Sequence, residues 1–232
     1  MDIILQGIAQ AFKLLIHGDP AVMRIAALSL GVSFSATAIS LVVGVMLGTT
    51  IGLTRFFGRR FIVSLINTGM GAPPTVVGLV VMIFLWRNGP LGVLHLLYTP
   101  AAMVVAQFII SVPIITGFTL ASIQQTDRKL QLQLQALGAS RLQMVWLLIK
   151  ESRLPLLAAV MAGFGAIISE VGASMMVGGN ITGQTRVLTT AIVMETGKGE
   201  FGTAIALSII LMVLVYGVNL LLTWAQQRSK AS

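Results

Sequence analysis

The sequence contains no cysteine, and only 9% of its 232 residues are charged. Without Cys there is no disulfide framework, thiolate nucleophile or Cys-held metal. A soluble domain carries about 25% charged residues. A chain this poor in charge cannot cover a globule with water-compatible side chains, which excludes an ordinary soluble enzyme, a disordered tail and a nucleic-acid module. Histidine is scarce too: His17 and His95 have no neighbours at ligand spacing, so no metal site and no cofactor is expected. No triad or paired carboxylates occur, so no catalytic residue is assigned. What is abundant is apolar: 56% hydrophobic residues and a mean hydropathy of +0.94. The composition predicts an all-α, polytopic membrane protein whose immediate partner is lipid.

A bilayer core about 30 Å thick needs about 20 apolar residues in helix. Uncharged stretches lie at 25–54, 61–86, 88–126, 154–169 with 171–185, and 201–227. They predict five spans, near 26–52, 61–86, 99–123, 154–178 and 203–226. Lipid does not tolerate open backbone polar groups, so the spans must be helical. The third starts late because Asn88-Gly89-Pro90-Leu91-Gly92 reads as a turn. Before the spans, Ile4, Ile8, Phe12 and Leu15 recur at helical spacing between Gln6, Gln10, Lys13 and His17. That pattern predicts an N-terminal interfacial segment over 1–20, a sixth span being the other reading. The membrane domain then covers 21–226, with a tail at 227–232.

The net charge of +8 comes from 15 Lys plus Arg against 7 Asp plus Glu. Ten cations fall in one set of connections: Arg55, Arg59, Arg60, Arg128, Lys129, Arg141, Lys150, Arg153, Arg228 and Lys230. Lys13, Arg24, Arg87, Arg186 and Lys198, five in all, fall in the other. The positive-inside rule puts the first set in the cytoplasm, with the N-terminus outside and the C-terminus inside. The excess of cations is thereby accounted for without a nucleic-acid partner.

The longest connection on the basic side is 124–153. Gln125-Thr126-Asp127 starts a helix, Leu130, Leu132, Leu134 and Leu137 give it apolar contacts, and a second helix runs from Leu142 to Ile149. Between them lies Gln135-Ala136-Leu137-Gly138-Ala139-Ser140-Arg141, small residues around a glycine. Small residues let another surface approach closely. This is either a docking element for a soluble partner or a plain connector.

Other features are odd for plain spans. Pro73-Pro74 interrupts the second, where a proline must kink or break the helix. Glu170 is a carboxylate deep in the fourth, and should face a cavity or a partner, not lipid. It is either neutral, paired with a cation or with backbone donors at a helix break, or set beside a wet cavity. Gly178-Gly179-Asn180-Ile181-Thr182-Gly183-Gln184-Thr185 has the glycines of a phosphate loop, but Gln184 stands where the lysine must be. The chain therefore has no ATP site there. Gly44, Gly48 and Gly52 form a stripe for close helix packing, within the chain or between copies.

The loop around Gly138 resembles the cytoplasmic coupling loop of the membrane subunits of ABC importers, which work with a substrate-binding protein. In place of that family's Glu-Ala-Ala triplet this chain has Leu132-Gln133-Leu134, and Leu154-Pro155 comes four residues later than usual. Gly71-Ala72-Pro73-Pro74-Thr75-Val76-Val77-Gly78-Leu79 and the stretch from Ser169-Glu170-Val171-Gly172-Ala173-Ser174 to Gly179-Asn180-Ile181 resemble the oxyanion permeases of that family, most of all the tungstate branch. The resemblance implies a type I permease core of about five helices. It implies an import function for tungstate, or for molybdate or sulfate, and no enzymatic activity of its own. Its partners would be two cytoplasmic ATP-binding subunits, a second permease copy and an extracytoplasmic oxyanion-binding protein. Gln135 to Arg141 would contact the ATPase. Pro73, Pro74, Thr75, Glu170, Gly172, Ser174 and Asn180 would line the pathway or its gate. A secondary transporter would show an internal repeat, absent here, and a membrane-embedded enzyme would need paired acid–base groups.

Overall fold

The structure is a computed structural model that describes the backbone of residues 2–231; the side chains of 2–4, 6, 15, 17, 128, 131, 132, 135, 141, 225 and 228–231 lie outside the described residues. Ile4 and Leu15 of the N-terminal pattern, and Gln135 and Arg141 of the loop, are among these.

The described residues form eleven α-helices and no strand. They are α1 (Asp2–His17), α2 (Pro20–Leu53), α3 (Arg59–Met70), α4 (Pro74–Leu85), α5 (Pro100–Gln125) and α6 (Arg128–Ala136). They continue with α7 (Arg141–Glu151), α8 (Arg153–Ile168), α9 (Gly172–Gly178), α10 (Leu188–Gly197) and α11 (Phe201–Ala231). Three helices are long and apolar enough to cross a membrane: Pro20–Leu53, Pro100–Gln125 and Phe201–Trp224. Two bent pairs are long and apolar enough only when each is taken together, Arg59–Met70 with Pro74–Leu85 at 103° and Leu142–Glu151 with Arg153–Ile168 at 71°. The stretches expected near 61–86 and 154–178 as single spans are therefore each divided. The second breaks after Ile168, and α9 is a separate short helix.

The central contact is α2 against α5. Ideal Cβ atoms on Gly44, Gly48 and Gly52 would lie 2.8 Å from Ile115, 2.6 Å from Thr119 and 2.8 Å from Ile123. Both helices thus present a four-residue row, and the missing side chains let the backbones meet. The stripe is used for packing within the chain. Ser29, Ser33, Thr37 and Ser40 extend the α2 row and are buried. Ser29 and Thr37 donate to the carbonyls of Ile25 and Ser33, so these hydroxyls enter the core already satisfied. The Ser40 and Ser111 hydroxyls are 2.5 Å apart, joining α2 to α5 at the same row. Arg59 donates from Nε to the carbonyl of Ile51, closing the C-terminal end of α2.

The N-terminal helix packs on α11. A Cβ on Gly7 would meet Ile205 at 2.5 Å, and Gln10 Nε2 donates to Thr203 Oγ1 at 3.2 Å. The partner number falls as the α1 number rises, so the two helices run antiparallel. The buried face is Gly7 and Ala11, with Leu14 packed on the cluster of Val22, Ala26, Leu188 and Leu207. Ile8 and Phe12, the described members of the apolar pattern, are on the exposed side.

Candidate functional site

The first break follows from its prolines. A residue before proline is steered out of the α region. Ala72 and Pro73 each precede one, and Pro73 is extended at φ −60°, ψ 122°. Pro74 then occupies the first position of α4, where the missing N–H costs nothing. The end of α3 closes with turn bonds from Gly71 and Ala72 to the carbonyls of Thr68 and Gly69, at 3.1 and 3.3 Å.

The second break is held by side chains. Glu170 Oε1 accepts from the backbone N–H of Ala173 at 2.9 Å, so the carboxylate caps α9. Of the alternatives for Glu170, the structure displays backbone donors at a helix break. Thr189 of α10 donates to the Glu170 carbonyl at 3.1 Å, and Ser169 Oγ to the carbonyl of Gly165 at 2.8 Å. From α5, Gln107 Nε2 donates to the carbonyl of Ile167 at 3.2 Å. Gln107 is buried and its Oε1 has no partner.

The two breaks meet. A Cβ on Gly172 would lie 2.4 Å from Thr75 Cγ2 and 3.3 Å from Glu170 Oε1. A Cβ on Gly78 would lie 2.5 Å from the Ala173 backbone. Four of the expected gate residues, Pro74, Thr75, Glu170 and Gly172, thus lie at one crossing of α4 over α9. Pro73 is exposed beside it, and Ser174 is buried in α9 with an unpartnered hydroxyl. Asn180 is not part of this cluster. It sits beyond the far end of α9 at φ 51°, and its Oδ1 accepts from Arg186 Nε at 3.2 Å. In the same turn Thr185 is buried and bonds the carbonyl of Gly178 and the N–H of Ile181.

The loop is the second part of the site. Helix α6 ends in Leu137 and Gly138, the latter at φ +76°. Ala139 N–H reaches back to the Leu134 carbonyl at 3.0 Å, which is a Schellman closure with glycine at the left-handed position. Ser140 and Gln143 then form a reciprocal capping box that starts α7. Gly138 is therefore needed for its backbone angle; nothing lies within 4 Å of its Cβ position. Leu137 and Leu142, flanking the turn, are 82% and 83% exposed. Ala136 and Ser140 are also exposed, and Ala139 is half-buried.

Sequence reasoning missed Gln107 and Thr189. The signal for Gln107 was an amide inside an otherwise apolar stretch, which in lipid must find partners. Replacing it with Leu removes the bond between α5 and the end of α8, leaving the Ile167 carbonyl only its backbone donors, and is expected to destabilise by about 1 kcal/mol. Thermal unfolding of Gln107→Leu in detergent checks this; a midpoint equal to wild type would contradict the bond. Glu170→Ala removes the cap and is expected to destabilise by about 1 kcal/mol, whereas Glu170→Gln keeps an acceptor and is expected to melt near wild type. Equal melting of the Ala and Gln variants would contradict the capping role.

Comparison with known proteins gives a consistent picture. The family described as binding-protein-dependent transport system inner membrane component matches residues 40–231. A tungstate uptake system permease protein of Peptoclostridium acidaminophilum is 40% identical over 219 residues, 94% of this chain and 96% of the relative. The tungstate uptake system permease protein of Campylobacter jejuni is 35% identical over 223 residues, covering 94% and 92%. Among solved structures, an amino acid ABC transporter crystal structure aligns with a TM-score of 0.68 at 18% identity, covering 94% of this chain and 98% of that one. At that identity the likeness concerns the fold.

Proposed function

This chain belongs to the family of binding-protein-dependent transport system inner membrane components, and from that premise we propose that it is the permease of an importer that carries tungstate into the cell. The observation that carries the cargo is the identity of 40% and 35%, over nearly the whole chain, to permeases of tungstate uptake systems. ATP hydrolysis belongs to a separate subunit. Two copies of the permease form the pathway, and each presents its 134–142 element to one ATP-binding subunit. The exposed Leu137 and Leu142 are the anchors, held in place by the Gly138 turn and the Ser140 cap. A large exposed apolar pair on a polar element is what a protein interface uses.

The basic connections, including 124–153, and the C-terminal tail at 227–232 face the cytoplasm in this reading, and the N-terminus lies outside. Residues 1–20 are the N-terminal interfacial segment, lying against α11 on the outer side of the domain at 21–226. A binding protein delivers the oxyanion to the outer loops. Closure of the ATPases moves the loop, and the bundle switches between two arrangements. The crossing of α4 over α9, with Thr75, Glu170 and Gly172, is the place where that switch opens or closes the path. Backbone freed at helix breaks inside a membrane protein is tolerated where protein or a wet cavity satisfies it, which suits a pathway.

Two assays test the proposal. A tagged chain purified in detergent should bring down a soluble ATP-hydrolysing subunit in stoichiometric amount. The accompanying binding protein should prefer tungstate over molybdate and sulfate. A permease that purifies with no ATPase, or a binding protein selective for sulfate, would refute the respective half.

A further inference from the structure

A groove of about 610 Å³ opens on the outside of the bundle between α2, α7 and α8. Its wall is apolar, with Val42 and Met46 from α2 and Leu157 and Val160 from α8. Lys150 and Arg153, both exposed, line it with their aliphatic stems, between Trp146 of α7, 66% exposed, and Leu157 of α8. The two cations flank the 71° elbow between α7 and α8. With α8 as the crossing part, the elbow sits at the height of the headgroup region, where Trp, Lys and Arg side chains gather. The intervening carboxylate, Glu151, does not line the groove.

We propose that this groove is a binding site for an anionic phospholipid, with the acyl chains along Val42, Met46, Leu157 and Val160 and the phosphate at Lys150 and Arg153. The occupant is fixed by the charge pattern. A zwitterionic lipid would suit the apolar wall equally but would gain little from two cations at its mouth. Basic pockets between membrane helices select anionic headgroups, and each cation near the surface strengthens binding about five-fold. Lys150 and Arg153 together then predict a preference of about 25-fold for an anionic over a zwitterionic lipid. The site lies at the end of the helix that follows the Gly138 turn, so a bound lipid would brace the element that carries Leu137 and Leu142. It depends on the membrane placement of α8, and not on the cargo.

Trp146 supplies a reporter in place. The full chain carrying W86F and W224F is reconstituted in phosphatidylcholine nanodiscs doped with phosphatidylglycerol or phosphatidylcholine bearing brominated acyl chains. Brominated phosphatidylglycerol is expected to quench Trp146 at about 25-fold lower mole fraction than brominated phosphatidylcholine. K150Q is expected to reduce the preference about five-fold, and K150Q with R153Q to abolish it. Glycerol phosphate, a headgroup without chains, is expected not to compete. Equal quenching by the two lipids would overturn the proposal, as would an undiminished preference in the double variant. Cross-links between copies through Met46 or Leu157 would also overturn it, by showing a second chain in the groove. Should the tryptophan background fail to assemble, wild type and K150Q are compared by retention of the two lipids in native mass spectrometry. The same preference and the same loss are expected there, and equal retention overturns the site.

Discussion

Gly48→Ala and Gly31→Ala, two identical changes in one helix, are expected to fall on opposite sides of wild type. A Cβ at position 48 would lie 2.6 Å from Thr119 Cβ and 2.7 Å from the Thr116 carbonyl oxygen. Neither can withdraw without parting α2 from α5, because one is backbone and the other sits on a buried stem. Overpacking of this kind costs about 1–3 kcal/mol for small insertions, and more for Gly48→Leu. Gly31 has nothing within 4 Å of its Cβ position. There Ala adds helix propensity worth about 1 kcal/mol and meets no obstacle. The expected result is a lower unfolding midpoint in detergent and less protein in the membrane for Gly48→Ala, with Gly31→Ala at or above wild type. If the two variants behave alike, α2 and α5 do not meet along the glycine row.

The second large effect is expected at the loop. Leu137→Asp and Leu142→Asp change side chains that are almost wholly exposed and pack against nothing that holds the bundle together. Their effect on folding should be within about 0.5 kcal/mol, the usual range for surface changes. If both leucines anchor the ATPase, each is worth about 2 kcal/mol at the interface, and subunit retention should fall at least about ten-fold. Transport would fall with it while the amount of permease stays constant. Gly138 separates angle from contact: at φ +76° every L residue is strained, but Asn tolerates the region. Gly138→Asn should retain far more uptake than Gly138→Val. Equal loss in both would place the requirement in the absent side chain and not in the backbone angle.

The spans were legible because lipid forces continuous apolar helices, and the three unbroken ones lie within a few residues of where the charges bounded them. The break at 71–73 was also legible, since consecutive prolines leave the chain no helical course. The break at 169–171 was not. Its sequence, Ser-Glu-Val, carries no residue that forbids helix, and the break is held by side-chain bonds from Glu170, Gln107 and Thr189 to the backbone around it. Those bonds span 3, 60 and 19 residues, so only the first is local. The apolar pattern in α1 did not show which face meets the rest of the protein. In water the large apolar face turns inward, but in lipid it can turn outward while small residues make the protein contact. Gly7 and Ala11 face α11, and Ile8 and Phe12 do not. At Gly138 the structure adds a requirement the sequence did not show: its smallness is unused within the chain, and its left-handed backbone is what the turn requires.

The most direct test of the whole account is tungstate accumulation in proteoliposomes that contain this permease, its ATP-binding subunit and its binding protein. Accumulation is expected only when all three chains and ATP are present, and is expected to disappear with Leu137→Asp while the permease remains in the vesicles. Tungstate entry that proceeds without the ATP-binding subunit, or that survives that substitution undiminished, would contradict a permease driven through this loop.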